Sequence, residues 1–198
     1  MAGQDKHIEL VVIGASAGGV EALSVLLQAL PEDFYPPVAI VLHLPPDRST
    51  ALPQLLARKC ARPVKEAEDK EPLVNGTVYF APPDYHLLVE PDRSLSLSRD
   101  EPLHYSRPSI DMLFESAAMA CRETVLGIIL TGASKDGAEG LKQIRTCGGL
   151  AWIQQPDEAL SRIMPEAAIS TAGADQVLTL KQLSENLSRL TAPAIEAD

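Results

Sequence analysis

The sequence predicts an α/β fold: a single domain on a doubly wound, mainly parallel sheet of three-layer, Rossmann-like plan, with an antiparallel hairpin at one edge. Three observations carry this. The wholly apolar runs at Val11-Val12-Ile13, Val38-Ala39-Ile40-Val41-Leu42 and Val125 to Leu130 need burial on both faces, which parallel strands covered by helices provide. Stretches with apolar residues at helical spacing separate them, so strand and helix alternate. Two of the strands pass into helices through small-residue loops, Gly14 to Gly19 and Thr131 to Gly137, the strand-turn-helix plan of such folds.

In order, Ile8 to Ile13 reads as a buried strand and Val20 to Leu30 as a helix. Pro31 and Pro36-Pro37 close a loop before the strand Val38 to Leu42, which ends at His43. Leu44-Pro45-Pro46-Asp47-Arg48 is a rigid loop, with Ser49 or Thr50 capping a short helix to about Arg58. Asn75-Gly76 marks a turn, Thr77 to Ala81 a strand and Pro82-Pro83-Asp84 a loop. Leu87 to Glu90 and Leu95 to Ser98, flanking Pro91-Asp92-Arg93-Ser94, form the hairpin. Asp100 to Pro108 lacks apolar periodicity and reads as a surface loop, a candidate rim or lid.

Ser109 is placed to cap a helix whose core face is Ile110, Leu113, Phe114, Ala117, Ala118 and Cys121, with Asp111 in the first turn favoured by the helix dipole. After the strand Val125 to Leu130 comes a helix from Ala138 to about Thr146, ended by Gly148-Gly149. Leu150 to Ile153 is a short strand, Gln154 to Glu158 a polar loop and Pro165 to Thr171 a short helix. Val177-Leu178 is a last short strand, and Thr179 with Gln182 makes a capping box for a helix to Leu190. Residues 1–190 thus form one domain, followed by a short acidic tail over 191–198.

Composition narrows the function. The formal charge of -10 argues against electrostatic binding to nucleic acid or an anionic membrane surface. No apolar run approaches the roughly 20 residues that cross a bilayer, so membrane insertion is not expected and the cytoplasm is the expected compartment. Cys60, Cys121 and Cys147 are odd in number and widely spaced, which fits buried thiols in a reducing compartment and predicts neither disulfides nor a metal site.

The first loop matches G-x-S-x-G, the nucleophile elbow, at Gly14-Ala15-Ser16-Ala17-Gly18. A dinucleotide loop is disfavoured because Ser16 stands where the second glycine of GxGxxG must meet a pyrophosphate. Ser16 as a simple helix cap stays open. Gly132 and Gly137 have phosphate-loop spacing, but Ala138-Glu139 replaces the Lys and Ser or Thr that a nucleotide needs, so no cofactor is expected. Asp136, just before a helix, reads in isolation first as a cap and only second as a catalytic group. His86 and His104 lie in the middle segment without a motif, where an ordinary loop or core histidine is the default.

Position separates these readings. In a parallel sheet the loops that follow the strands emerge on the ligand-binding edge, and Ser16, His43 and Asp136 each occupy such a loop. A hydroxyl, an imidazole and a carboxylate gathered there are the parts of an acyl-transfer relay, with backbone N–H groups of Ala17 and Gly18 as oxyanion donors. The chain order Ser, His, Asp differs from that of α/β-hydrolases, so the same chemistry would be reached independently.

The chain resembles the CheB-type chemotaxis protein-glutamate methylesterase catalytic domain, through GASAGG at 14–19, HLPP at 43–46, APPDYHL at 81–87, RPSIDMLFESAA at 107–118, TGASKDGAEG at 131–140 and MPEAA at 164–168. The resemblance runs from about Ile8 to Leu190. It implies hydrolysis of γ-methyl glutamyl esters on chemoreceptor signalling helices, with deamidation of receptor glutamines as a companion activity. By matching motifs, Ser16 is the implied nucleophile, His43 the general base and Asp136 the orienting acid. Ala17 stands where many members have Thr and Ala133 where Met is common, both in loops whose backbone could still serve an oxyanion. The familiar form carries an N-terminal receiver domain, whereas the first strand here begins within about ten residues of Met1. Constitutive activity, a separate regulatory partner and excision from a larger protein all stay open. A catalytically silent binding or regulatory module of the same fold is the alternative reading.

Overall fold

The computed structural model describes residues 7–44, 51–103 and 105–191. Its centre is a seven-stranded sheet of β1 (Leu10–Ala15), β2 (Val38–Leu42), β3 (Val64–Glu66), β4 (Val78–Phe80), β7 (Val125–Ile129), β8 (Leu150–Gln154) and β9 (Gln176–Leu178). Every neighbouring pair is parallel, in the order β3-β4-β2-β1-β7-β8-β9. The chain builds leftward from β1 and then resumes on its right at β7. The strand order therefore reverses between β1 and β7, where open α/β sheets bind ligands.

Period-two alternation divides the core. Val11, Ile13 and Ala15 of β1 face one apolar layer, with Leu23 and Leu26 of α1 (Gly19–Gln28), Leu52 and Leu56 of α2 (Leu52–Ala57) and Leu183 and Leu187 of α6 (Leu180–Leu187). Leu10 and Val12 face the other, with Leu113 and Phe114 of α3 (Ile110–Cys121), Leu141 and Ile144 of α4 (Ala138–Thr146) and Ala168 of α5 (Ile163–Ala172). The three-layer plan follows directly from strands that are apolar on both sides.

Several elements depart from the sequence reading. The hairpin forms, as β5 (His86–Val89) and β6 (Leu95–Ser98), but as a separate two-stranded antiparallel sheet and not at an edge of the main one. Its apolar residues Leu87, Val89 and Leu95 share a core with Ile110, Leu113 and Phe114, and the Val89 N–H donates to Ser116 Oγ at 3.1 Å. One apolar face on a short ribbon is satisfied by a helix, which leaves the edges to β3 and β9. Strand β3 was not expected, because Val-Lys-Glu offers one apolar residue and only half-buried positions. Helix α5 starts two residues before Pro165, which sits in the first turn where its missing N–H has no intrahelical partner to lose. The expected capping box of Thr179 and Gln182 is present on α6, and that helix ends at Leu187 instead of Leu190. The caps Ser49 and Thr50, the loop Pro45 to Arg48, His104 and most of the acidic tail lie outside the described residues. No helix among the described residues is long and apolar enough to cross a membrane.

Candidate functional site

Ser16 and His43 are carried to one place by strand register. Ala15 of β1 is opposite Leu42 of β2, and the ladder continues as the His43 N–H donates to the Ala15 carbonyl at 3.0 Å. Adjacent strands are about 4.8 Å apart, so the two residues that follow leave the sheet side by side. Both line a cleft of about 870 Å³ together with Ala17 and Gly18, walled by Leu44, Leu52, Leu55 and Leu160. The described residues of loop 100–108, the candidate lid, contribute nothing to this lining; Arg107 instead donates to Asp84 and to the carbonyls of Arg99 and Asp100, beside an adjoining cavity.

Thr131, just past β7, fixes the serine loop from behind. Its carbonyl accepts the Ser16 N–H at 3.0 Å, and its hydroxyl donates to the Ala17 carbonyl at 2.8 Å. Its own N–H donates to Gln154 Oε1 at 2.8 Å, and its hydroxyl accepts the Ser161 N–H at 2.9 Å. The backbone N–H groups of Ala17 and Gly18 make no hydrogen bond among the described residues, which leaves two donors beside Ser16. The Ser16 hydroxyl is likewise unengaged there, so the capping role left open for it is not the one it plays. Ala133 is exposed on its loop and does not line the cleft.

Asp136 lies behind His43, 1% exposed, with its Oδ2 3.0 Å from His43 Nε2. A carboxylate only accepts, so Nε2 carries the proton and the neutral ring keeps its lone pair on Nδ1. The same carboxylate takes N–H groups from Ile110 at 2.7 Å and Asp111 at 3.0 Å and the Ser109 hydroxyl at 3.0 Å, so with His43 four donors fill it. Burial pushes the Asp136 carboxyl up, but the His43 bond and the backbone N–H groups of Asp111 and Ile110 outweigh it and hold it below its ordinary value.

Both capping expectations are redirected by this contact. Ser109 stands at the start of α3 without capping it, and Asp136 caps α3 instead of its own helix α4. Asp111 reciprocates: its Oδ1 accepts the N–H groups of Gly137 at 3.0 Å and Gly140 at 2.7 Å at the start of α4. Burial first, and then the neighbouring Asp136 charge, push Asp111 up to about 6. The exchange needs close approach. A Cβ on Gly14 would sit 2.4 Å from Ile110 Cγ2, and Gly137, at φ +95, would press the same side chain. His86, fully buried on β5, accepts the Ser109 N–H on Nδ1 at 3.1 Å and donates from Nε2 to the Glu101 carbonyl at 3.3 Å. Sequence reading gave Ser109, Asp111 and His86 only local roles; a serine and an aspartate two apart at a helix start were the available signal.

Among the described residues no group of three His, Cys, Asp or Glu side chains is placed to hold a metal ion.

A doubly wound parallel sheet with a serine, a histidine and a buried aspartate on three neighbouring strand ends defines an α/β protein with its ligand edge at the β1/β7 reversal. The chain belongs to the CheB methylesterase family, whose sequence profile matches residues 11–187. It is 44% identical over 190 residues to a protein of Leptospira interrogans serovar copenhageni named "Putative protein-glutamate methylesterase/protein-glutamine glutaminase", covering 96% of this chain and 98% of that one. A protein-glutamate methylesterase/protein-glutamine glutaminase of Trichodesmium erythraeum is 36% identical over 185 residues, and there the match covers 92% of this chain but 53% of the relative. The crystal structure of the Thermotoga maritima CheB methylesterase catalytic domain superposes with a TM-score of 0.88 at 32% identity, covering 93% of this chain and 99% of that one.

Proposed function

We propose that this chain is a serine hydrolase that removes methyl esters from glutamyl side chains of chemoreceptors during adaptation in bacterial chemotaxis, working in the cytoplasm, and that residues 1–190 are its catalytic domain. The observation that carries the reading is the His43 Nε2 to Asp136 Oδ2 contact at 3.0 Å, behind a cleft that Ser16 and His43 line together. Family membership and the names of the relatives supply the substrate class.

The residues would act in two steps. His43 Nδ1 takes the Ser16 proton as Oγ attacks the ester carbonyl, and the ionised, saturated Asp136 stabilises the imidazolium through Nε2. The N–H groups of Ala17 and Gly18 receive the oxyanion; Ala133 is not assigned this role, because it lies off the cleft. The C–O bond to the methoxy group breaks, methanol leaves with the proton from His43, and a water activated by the same imidazole releases the glutamate and frees Ser16. The same route acts on a receptor glutamine, with ammonia as the leaving group. Methanol release from methylated chemoreceptor membranes, compared with the Ser16→Ala protein, tests this. Release by the wild type and none by the variant supports it; equal release from both, or none from the wild type, defeats it.

A further inference from the structure

We infer that Ser109 and Asp111 are positioning residues for the reaction, because the exchange of caps between α3 and α4 is what aims Asp136 at His43. The inference rests on the proposed role of Asp136. That side chain is rooted in the loop leading into α4, yet every donor it holds other than His43 comes from the first residues of α3 or from Ser109 immediately before them. The orientation of its Oδ2 is accordingly set by where α3 begins. Asp111 decides that from the opposite side. By accepting the Gly137 and Gly140 N–H groups it fixes the start of α4, and so the residue directly after Asp136, against the first turn of α3.

Ser109 contributes a second constraint. Its hydroxyl is free to serve Asp136 Oδ1 because it caps nothing, and its backbone is held by fully buried His86. The arrangement is two-sided: the carboxylate that faces His43 is clamped by one helix start, and its own backbone is clamped by a carboxylate returned from that helix. Rotation of the Asp136 side chain away from His43 would break its bonds to Ser109, Ile110 and Asp111. None of these residues lines the cleft, so substrate binding gives no reason for their arrangement.

The test compares Asp136→Ala, Asp111→Ala, Asp111→Asn and Ser109→Ala in the full chain, reading kcat and KM for ester hydrolysis, the thermal midpoint, and the low-field proton resonance of the His43 Nε2–H. Asp111→Ala is expected to lower kcat by up to about a hundredfold with KM unchanged, as a small misplacement of a reacting group does, and to move the Nε2 proton. Asp111→Asn keeps an acceptor oxygen for Gly137 and Gly140 and is expected to recover most of kcat. Ser109→Ala, with one Asp136 bond lost, should lower kcat less and move the proton in the same sense. The inference is overturned if the Asp111 and Ser109 variants keep wild-type kcat while Asp136→Ala loses it, or if they lose activity only in proportion to unfolded protein with the proton resonance in place. Wild-type kcat in Asp136→Ala would overturn the proposed relay itself, and this inference with it.

Discussion

The loops after β1 and β7 begin from the same plan, an apolar strand followed by small residues and a helix, and end in opposite conditions. In the first, among the described residues, the Ser16 hydroxyl and the N–H groups of Ala17 and Gly18 make no hydrogen bond, and all three residues line a cleft. In the second, Asp136 is 1% exposed and filled by four donors. The difference separates two tasks that one strand-turn-helix unit can perform. The β1 loop keeps bonding capacity in reserve for a ligand, whereas the β7 loop spends all of its own on holding one carboxylate. Thr131 is the bridge, lending its carbonyl and hydroxyl to the serine loop.

That contrast can be broken from either side. Ser16→Ala should lower kcat on the order of a millionfold, as loss of a serine nucleophile does, while stability stays within about 0.5 kcal/mol of wild type. Single-turnover methanol release and urea unfolding measure the pair. Asp136→Ala should cost less activity, roughly 10⁴-fold, but should also destabilise by about 2–3 kcal/mol, since it leaves buried donors of α3 without an acceptor. An Asp136 variant as stable as the Ser16 variant would contradict the division of labour. Gly14→Ala probes the approach of α3 to β1. The new methyl meets Ile110 Cγ2 at 2.4 Å, and the expected loss is about 1–3 kcal/mol, read by urea unfolding.

Acidity gives the most specific effect. Asp136 is held below its ordinary value, so its contribution is present above the unfolded carboxyl value of about 3.9 and is lost as pH falls through the folded one. Asp111 acts in the opposite sense. Unfolded, it is ionised above about 3.9, but folded it keeps its proton up to about 6, so the native state binds more protons in that window and stability falls as pH rises through it. Urea unfolding of Asp111→Asn between those values should lose this downward slope; an unchanged slope would show that Asp111 is not its source.

How much of this was legible in the sequence depends on the range of the interaction. The apolar strands, the glycine-rich turns and the capping box at Thr179 are local patterns, and the structure returns them nearly as read. Ser16, His43 and Asp136 could be gathered without coordinates because strand direction alone puts their loops on one edge. The partners of Asp136 could not. Position 111 is tied to 137 and 140 by helix packing, and no periodicity records which of two carboxylates near two helix starts caps which. The seat of the hairpin was hidden for the same reason: alternation fixes its apolar face but not whether that face meets a sheet edge or a helix. Strand β3 was missed because an edge strand of three residues carries almost no apolar signal.

The crossed caps also bear on how the molecule opens. Fraying of α3 releases the acceptor that secures α4, and fraying of α4 removes the one that secures α3, so the two helix starts are expected to open as one cooperative unit. The amides of Ile110, Asp111, Gly137 and Gly140, far apart in sequence, are therefore expected to exchange in a single opening event. A protein in which that event has occurred has no oriented Asp136, so under the proposed mechanism one local unfolding equilibrium, and not two independent ones, sets the population able to act.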